Sequence, residues 1–435
     1  MSSKAATIAA LVLGPLLAEP ALAASPCIVD GGFGDPNEPL IVTGTTGKQI
    51  LELYLGSGGL GLFLDCNGDG DFTDAGDATL SLISDPAVIQ LKGLDTITIN
   101  QVADLIASKY LLHIELAGGA NTVKLNGGGF SIVDSRIVVE VQGSPGADTL
   151  NLDFGGGTVN RSALSLKADL GAGNDVLRIL HSPIPVSGGS FVVEALLGSG
   201  ANTFVYDDGG VGSVGAGGTT ELRVEGGSGV DTLTLNLGGV VGGFSGPDPG
   251  GRLIVNANLG GGNDRLVGNV DLGTGGLTIG LQGEAYINVS GGAGADSLIL
   301  SGNGTTGPNQ NAGLLDIRLS GGIGNDTLTV GFGAGGFEAM DGGNLRIRAD
   351  GGAGSDTLTF NLDSSNSTAP SNYDVEVSGG AGNDVLAVTV NAGGSQPVTF
   401  KPGGLAHIDG SFGNLDKCTV SGISSSSLLK RNCEL

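Results

Sequence analysis

A short acidic phrase recurs along most of this 435-residue chain, and its residues are the ones best suited to chemistry. The phrase is rich in glycine and ends on an aspartate or asparagine, a position called the slot from here on. The slots are Asp148, Asp175, Asn202, Asp231, Asp264, Asp296, Asp326, Asp356 and Asp384, spaced 27 to 33 residues apart. Carboxylates held in a file at short spacing raise one another's pKa unless something neutralises them. Calcium, a hard cation that binds carboxylate and carbonyl oxygens, would do so.

The slots have a second interpretation that needs no metal. Aspartate and asparagine side chains accept hydrogen bonds from the backbone amides of their own turns. Asn202, and Asn121 in a weaker repeat before Asp148, suit this role because they carry no charge. At the level of sequence the slots are therefore either cation ligands or turn caps.

The residues on both sides of each slot alternate between apolar and polar, as in strands with one buried face. The residues two after the slot are Leu150, Leu177, Phe204, Leu233, Leu266, Leu298, Leu328, Leu358 and Leu386. The residues nine before it are Val139, Leu166, Val193, Leu222, Val255, Ile287, Ile317, Ile347 and Val375. Each repeat is therefore predicted to be a strand, a glycine turn and a second strand, followed by a variable return.

Repetition of such a unit predicts stacked coils rather than one globular core. The predicted fold is all-β, a single-chain parallel β-solenoid of about twelve coils with 27 to 33 residues per coil and capped ends. Asp95, Asn121 and Asp416 extend the file of slots at its two ends. The segment VADLIASKY (102–110) is expected to form a short helical turn between early coils.

Charged residues on the outward positions test the stacking, because neighbouring coils would make them lateral neighbours. The residues eight before the slot in four successive coils are Glu140, Lys167, Glu194 and Arg223. The residues ten before the slot in three later coils are Asp316, Arg346 and Asp374. The signs alternate in both columns, which favours direct stacking. The one unfavourable step would place Arg318 beside Arg348.

Four of the turns carry a fuller pattern, GGxGxD followed by a large apolar residue. They are GGAGADSLI (291–299), GGIGNDTLT (321–329), GGAGSDTLT (351–359) and GGAGNDVLA (379–387). This pattern resembles the nonapeptide of the RTX family, the haemolysin-type calcium-binding repeats. The resemblance implies that turn carbonyls and the Asp carboxylate coordinate calcium between neighbouring coils. The ligands it implies are Asp296, Asp326, Asp356 and Asp384, and poorer matches add Asp148, Asp175, Asp231 and Asp264. RTX repeats run in tandem, whereas this phrase occurs once per long coil.

A second acidic segment, DCNGDGDFTDAGD, spans residues 65–77. Its start fits an EF-hand-type calcium loop, although position twelve is Gly76 instead of the closing glutamate. The calcium ligands predicted here are Asp65, Asn67, Asp69, Asp71, Asp74 and Asp77. The alternative is a solvated acidic turn. The preceding LGLFL is predicted to be a strand, so no helix enters the loop.

The two ends of the chain differ from the repeats. Residues 1–24 have the basic start, short apolar stretch and small-residue cleavage site of a secretory signal peptide, so a secreted or cell-surface protein is expected. Residues 25–86 are predicted to form an N-terminal cap, 87–416 the solenoid and 417–435 a C-terminal cap. All four cysteines lie in the caps. Proximity favours the disulfides Cys27–Cys66 and Cys418–Cys433 among the three pairings that four cysteines allow.

Composition narrows the range of functions. A formal net charge of −25 argues against nucleic acid and anionic membranes as partners and favours bound cations. No segment after residue 24 is apolar for long enough to span a bilayer. No catalytic or cofactor-binding residues are predicted, since His113, His181 and His407 lie far apart and no nucleophile, zinc or phosphate-binding motif occurs. An enzyme is therefore the less favoured class.

The favoured function is an exported, calcium-stabilised solenoid that serves as a structural, cell-surface or adhesive protein, with calcium and surface polysaccharide as its expected partners. The alternative is a carbohydrate-active β-helix of lyase or hydrolase type, which predicts an outer groove with clustered Arg, Lys, Asp and aromatic residues. A remote alternative is ice binding through threonines one and three after the slot. Examples are Thr327, Thr329, Thr357 and Thr359.

Overall fold

The computed structural model describes most of the repeat region and parts of both ends. The described residues are 28–30, 40–44, 49–56, 59–66, 78–82, 88–116, 118–155, 157–180, 186–208, 213–242, 250–270, 277–279, 282–302, 304–306, 313–332, 338–339, 344–363, 372–391, 399–400, 406–410, 416–421 and 428–432. Within these ranges the chain is all-β and contains no helix. The predicted signal peptide, residues 1–24, lies outside them.

Forty strands make up the described chain. The strands up to residue 101 are β1 (Ile28–Asp30), β2 (Leu40–Thr43), β3 (Ile50–Gly56), β4 (Gly59–Asp65), β5 (Ala78–Leu82), β6 (Val88–Leu94) and β7 (Thr96–Gln101). Those from 102 to 242 are β8 (Leu105–Ile106), β9 (Lys109–Leu116), β10 (Thr122–Asn126), β11 (Ile132–Val133), β12 (Arg136–Gln142), β13 (Thr149–Asp153), β14 (Val159–Asn160), β15 (Ala163–Asp169), β16 (Val176–Leu180), β17 (Val186–Ser187), β18 (Ser190–Leu196), β19 (Thr203–Asp207), β20 (Ser213–Val214), β21 (Thr219–Glu225), β22 (Thr232–Asn236) and β23 (Val240–Val241). The remainder are β24 (Arg252–Asn258), β25 (Arg265–Asn269), β26 (Leu277–Ile279), β27 (Glu284–Ala293), β28 (Ser297–Gly302), β29 (Gly304–Thr306), β30 (Leu314–Ile323), β31 (Thr327–Phe332), β32 (Glu338–Ala339), β33 (Asn344–Ala353), β34 (Thr357–Asp363), β35 (Asn372–Ala381), β36 (Val385–Asn391), β37 (Thr399–Phe400), β38 (Ala406–Asp409), β39 (Lys417–Ser421) and β40 (Leu428–Arg431).

Three sheets, called A, B and C, run along the stack. Sheet A has sixteen strands, in the order β1-β2-β6-β9-β12-β15-β18-β21-β24-β27-β30-β33-β35-β38-β40, with β37 beside β35. Sheet B has fifteen, in the order β5-β4-β3-β7-β10-β13-β16-β19-β22-β25-β28-β31-β34-β36-β39. Sheet C has nine, in the order β8-β11-β14-β17-β20-β23-β26-β29-β32. Each coil passes from a strand of sheet A through the slot turn into sheet B and returns through sheet C.

The pairing register confirms the predicted parallel β-solenoid. Leu150 of β13 pairs with Leu177 of β16, and Leu177 pairs with Phe204 of β19, so residues two after the slot form one column. The column two after the slot and the column nine before it both point into the core, because every second residue of a strand faces the same side. Gly268 interrupts a separate inward column, four residues after the slot, and the side chain of Leu300 from the next coil fills the space where a Cβ would lie.

The outward columns also pair as predicted. Glu194 lies 4.0 Å from Lys167 and 2.7 Å from Arg223. The predicted unfavourable neighbours are confirmed, because Arg318 of β30 pairs in register with Arg348 of β33. Each guanidinium group binds its own acid: Arg318 binds Asp316 two residues earlier in the same strand, and Arg348 binds a glutamate of the next coil. Repulsion between the two arginines is thereby offset.

We expect Asp316→Ala to lower the free energy of unfolding by about 1–3 kcal/mol. Asp316 is 2% exposed and accepts hydrogen bonds from Arg318 at 3.1 Å and from Arg346 at 3.3 Å, so its loss leaves both guanidinium groups without this acceptor. The matched control is Glu376→Ala, which breaks the exposed Arg348–Glu376 pair and should cost at most about 1 kcal/mol. Urea denaturation of both variants gives the comparison, and equal losses would contradict it.

Two details of the predicted fold need correction. The helical turn expected over residues 102–110 is wrong, because this segment contains β8 and the start of β9. Pairing of Leu105 with Ile132 of the next coil, with Leu105 buried, outweighs the local helical pattern. Sheet C has nine described strands, so complete three-sided coils are fewer than the roughly twelve predicted.

The strand pairing changes character at the N-terminal end. Among the described strands only β1–β2, β3–β4 and β4–β5 pair antiparallel. Within residues 25–86, β2 and β3 already pair in parallel with β6 and β7. Within residues 417–435, β39 and β40 continue the parallel sheets. No helix in the described ranges is long and apolar enough to cross a membrane.

Candidate functional site

The slot residues form one buried ladder at the corner between sheets A and B. All of them from Asn121 to Asp416 are 0–2% exposed, although most are aspartates. The members are Asn121, Asp148, Asp175, Asn202, Asp231, Asp264, Asp296, Asp326, Asp356, Asp384 and Asp416. The corner between the two sheets therefore places a file of carboxyl groups inside the protein.

Each rung of the ladder is held by a hydrogen bond between coils. The backbone N–H of Asp296 donates to Oδ1 of Asp326 at 2.8 Å, and the N–H of Asp326 donates to Oδ1 of Asp356 at 2.7 Å. The same bond recurs from Asn121 to Asp416, with N–O distances of 2.7 to 3.0 Å. A buried amide that would otherwise lack an acceptor is thus satisfied by the following coil. These bonds differ from the turn caps expected from the sequence, because the capped amide belongs to the preceding coil and not to the slot's own turn.

The glycine two before each slot permits this close stacking. Gly324 has φ +145°, and a Cβ on it would overlap the carbonyl oxygen of Gly294 in the preceding coil. The same overlap would occur at Gly354 against Gly324. Only glycine combines this backbone conformation with so close an approach. The repeated glycine of the phrase is therefore required by the stacking itself.

The second carboxylate oxygen, Oδ2, divides the slots into two groups. In two slots Oδ2 accepts a hydrogen bond from a backbone amide of the same turn. The N–H of Ser144 donates to Asp148 at 2.7 Å, and the N–H of Gly227 donates to Asp231 at 3.2 Å. In seven others Oδ2 is buried and has no hydrogen-bond partner among the described residues. These seven are Asp175, Asp264, Asp296, Asp326, Asp356, Asp384 and Asp416.

The backbone four residues before the slot accounts for this division. Six of the seven unpartnered slots follow a glycine with positive φ at that position, between +84° and +108°. The six glycines are Gly171, Gly260, Gly292, Gly322, Gly352 and Gly380. Ser144 and Gly227 do not adopt positive φ, and their amides reach the carboxylate.

Asn202 shows what the unpartnered position requires. Its Oδ1 accepts the N–H of Asp175 at 2.9 Å, as an aspartate Oδ1 does. Its Nδ2, in the place of Oδ2, donates to the carbonyl oxygen of Gly200 in a long hydrogen bond of 3.4 Å. An ionised aspartate offers no donor there. A proton on Oδ2, or a cation beside it, would supply the missing positive partner.

The pKa values of the ladder reflect this environment. Burial raises the pKa of Asp175, Asp264 and Asp356 to about 6. The amide donated from the preceding coil opposes the rise, and the charge of neighbouring slot carboxylates adds to it. Burial also raises the pKa of Asp296, Asp326 and Asp384. Near neutral pH the ladder therefore carries buried charge with few compensating partners.

The donor set defines which metal would suit the ladder. Each coil contributes at most one slot carboxylate, and no cluster of three or more His, Cys, Asp or Glu side chains within the described ranges is arranged to hold a metal ion. A cation at the ladder would therefore have slot carboxylate oxygens as its side-chain ligands, and any further ligands would be backbone or water oxygens. Such an all-oxygen, irregular set suits calcium better than zinc or copper.

A second ladder, which the sequence reasoning missed, lies one residue before the slot. Oδ1 of Asn174 accepts the N–H of Ala201 at 2.9 Å, and Oδ1 of Asn325 accepts the N–H of Ser355 at 2.7 Å. These asparagines bind the following coil, whereas the adjacent slot aspartates bind the preceding one. The dipeptide Asn-Asp within the phrase was the available signal, because both residues can satisfy turn amides.

The predicted acidic loop is described only at its first residue. Asp65 is buried at the end of β4, which confirms the strand predicted before the loop. Asn67, Asp69, Asp71, Asp74 and Asp77 lie outside the described residues, so this calcium site stays a prediction. Cys66 and Cys418, the two cysteines within the described ranges, are not free thiols.

An open groove of about 430 Å³ crosses five strands on the outer face of sheet A, from β9 to β21. One wall is the column eight before the slot, where His113, Glu140, Lys167, Glu194 and Arg223 follow one another. The opposite wall is the column six before the slot, with Gln142, Asp169, Leu196 and Glu225. None of the described residues that line it is aromatic. The groove partly fulfils what the carbohydrate-active alternative predicts.

Comparison with protein-family models, with curated proteins and with solved structures finds no match. The likeness to RTX repeats therefore rests on the four turn phrases alone. The fold by itself does not specify an activity.

The structure brings the predicted slot ligands together and separates the other candidates. The two described histidines do not meet: His113 binds Glu115 at 3.1 Å, and His407 is in register with Glu376. His181 lies outside the described residues. The threonines proposed for ice binding form adjacent pairs, with Thr327 beside Thr357 in register. Isoleucine and alanine occupy the second threonine column in the flanking coils.

Proposed function

We propose that this chain is an exported β-solenoid, stabilised by calcium at its aspartate ladder, that serves as a structural, cell-surface or adhesive protein. The observation that carries the proposal is the set of seven buried, unpartnered Oδ2 atoms at equivalent slot positions, six of them in successive coils from Asp264 to Asp416. An unsatisfied buried polar group costs about 1–3 kcal/mol, and a charged one costs more. A cation beside Oδ2 would remove that cost in many coils at once.

Charge and architecture support the same proposal. The formal net charge of −25 raises the local concentration of cations around the protein. A stack of coils in which each contacts only its neighbours gains stability one interface at a time, so a bound ion at each interface adds up along the length. Disulfides Cys27–Cys66 and Cys418–Cys433, part of the proposal, would pin the two ends in an oxidising compartment.

Thermal melting with and without calcium tests the proposal. Near neutral pH the melting temperature should be higher in millimolar calcium chloride than in excess EDTA, because a ligand at 100 times its Kd adds about 2.7 kcal/mol per site. Magnesium, which requires stricter octahedral geometry and keeps its waters, should stabilise less. Equal melting temperatures in calcium and EDTA, together with no calcium in the dialysed protein, would refute the cation part.

A carbohydrate-active β-helix is the second candidate, and the groove on sheet A is the observation that favours it. Acidic and basic side chains alternate there, as in sites that hydrogen-bond sugar hydroxyls. Cleavage would release new reducing or unsaturated ends from a polysaccharide. An assay for such ends, with Glu140→Gln and Glu194→Gln as controls for contaminating enzymes, separates an enzyme from a binding protein.

A further inference from the structure

The shape of the groove on sheet A selects an extended ligand. Its walls follow the stacking direction through five successive coils, from His113 to Arg223. At a strand spacing of about 4.8 Å, four steps correspond to about 19 Å. The groove is open to solvent along the outer face of the sheet. A linear chain lying parallel to the solenoid axis would meet the same pair of columns at every coil.

Along their length the walls offer both hydrogen-bond donors, from Lys167, Arg223 and Gln142, and acceptors, from Glu140, Asp169, Glu194 and Glu225. Lys167 and Glu194 are 4.0 Å apart, and His113 and Glu140 are 3.5 Å apart, so these two pairs are loose, whereas Arg223 binds Glu194 closely at 2.7 Å. The side chains are about one third to one half exposed. Their polar ends are therefore accessible to a ligand. A hydroxyl group, which donates and accepts, matches such a mixed surface better than a group of one polarity.

The charge of the groove excludes several polymers. Four carboxylates line it, from Glu140, Asp169, Glu194 and Glu225, against the two cations of Lys167 and Arg223, which gives a net charge of −2 with His113 neutral. A polyanion would be repelled by this excess and by the −25 of the whole chain. A polycation would meet Lys167 and Arg223 in the wall. An apolar peptide could contact Val141, Ala168, Ala195 and Leu196, but it would offer no hydrogen-bond partners to the charged side chains of the two walls.

We infer that this groove binds a neutral, hydroxyl-rich polysaccharide in an extended conformation. The inference gives the adhesive role of the proposed function a defined surface. It rests on that proposed function only for its biological context, because none of the lining residues belongs to the aspartate ladder. Binding and calcium dependence can therefore fail independently.

Titration calorimetry of the folded protein in calcium tests the inference. The probes are neutral linear gluco-, manno- and xylo-oligosaccharides, with oligogalacturonate and oligolysine as charged comparisons. At least one neutral oligosaccharide should bind with a Kd in the micromolar to millimolar range, and both charged probes should bind at least 10-fold more weakly. Lys167→Ala combined with Asp169→Ala, which removes one residue from each wall, should weaken binding at least 10-fold.

The matched control is Asn256→Ala combined with Asn258→Ala. These residues occupy the same two columns one coil beyond Arg223 and do not line the groove. Their replacement should leave the Kd unchanged, and both double variants should melt like the parent. The inference is overturned if no neutral oligosaccharide binds, if a charged probe binds more tightly, or if the control loses as much affinity as the groove variant. Any of these results alongside calcium-dependent melting would leave the cation proposal standing.

Discussion

In a chelator, the free energy of unfolding is expected to fall as the pH rises from about 4 to about 7. Asp175, Asp264 and Asp356 have a folded-state pKa of about 6, above the value of about 3.9 for aspartate in an unfolded chain. The folded state therefore binds more protons between these values. The stabilisation is fully present below about pH 4 and is lost as the pH rises through about 6. A shift of this size corresponds to about 2–3 kcal/mol per carboxyl group.

Urea denaturation across this pH range, with and without calcium, gives the measurement. Calcium should flatten the dependence, because the cation neutralises the same oxygens that protons neutralise at low pH. Asp356→Asn should reduce the slope in chelator, whereas Glu225→Gln, which removes an exposed carboxylate, should change it little. Stability that increased with pH in chelator would show that the ladder is satisfied in its ionised form.

Replacement of one ladder residue is expected to have opposite effects with and without calcium. In chelator near neutral pH, Asp326→Asn should stabilise the protein by about 1–3 kcal/mol, because it removes a buried unpartnered charge and keeps the acceptor for Asp296. Asn202 occupies an equivalent slot and makes that bond. In calcium the same variant should be less stable than the parent, since a ligand is lost.

Asp326→Ala separates the hydrogen bond from the charge. It removes the acceptor and leaves the buried N–H of Asp296 unpaired, so it should be less stable than Asp326→Asn by about 1–3 kcal/mol in either condition. Equilibrium unfolding of the three proteins in calcium and in EDTA provides the six values required. If Asp326→Asn changed the free energy of unfolding in the same direction in calcium and in EDTA, calcium would not bind at Asp326.

The regular part of the fold could be predicted because two periods coincide in the sequence. Alternation every second residue marks strands, and recurrence every 27 to 33 residues aligns them, so the pairing of Leu150 with Leu177 follows without coordinates. The alternating signs at Lys167 and Glu194 gave an independent check of the register. The short strand β8 lacks such a pattern, so the sequence of residues 102–110 wrongly predicts a helical turn.

Whether Oδ2 of each slot aspartate has a hydrogen-bond partner could not be predicted. It depends on backbone torsion angles that differ between turns of similar sequence. The phrases GGSGVD, ending at Asp231, and GGAGAD, ending at Asp296, look equivalent. Gly227 nevertheless donates its amide to Asp231, whereas Gly292, at φ +102°, leaves Oδ2 of Asp296 unpartnered. The direction of the inter-coil bond was also beyond the sequence, since aspartate can cap either its own turn or a neighbouring one.

The groove illustrates a third limit. Its two walls come from columns that the sequence identified correctly as outward-facing, and Lys167 was predicted to lie beside Glu194. Whether two columns enclose a depression depends on the lengths and directions of side chains in several coils at once. A sequence pattern indicates which face of a sheet a residue lies on, but it does not indicate whether that face contains a groove.

The hydrogen bonds of the ladder impose a polarity on assembly. The amide of Asp296 is satisfied only when Asp326 arrives, and the amide of Asp326 waits in turn for Asp356. A chain that folds from its N-terminus would always expose one unfinished amide at the growing end, and every added coil would close it and present the next. Deletion of a whole coil from one slot to the next would preserve this succession, so proteins of this design can change length in units of one repeat.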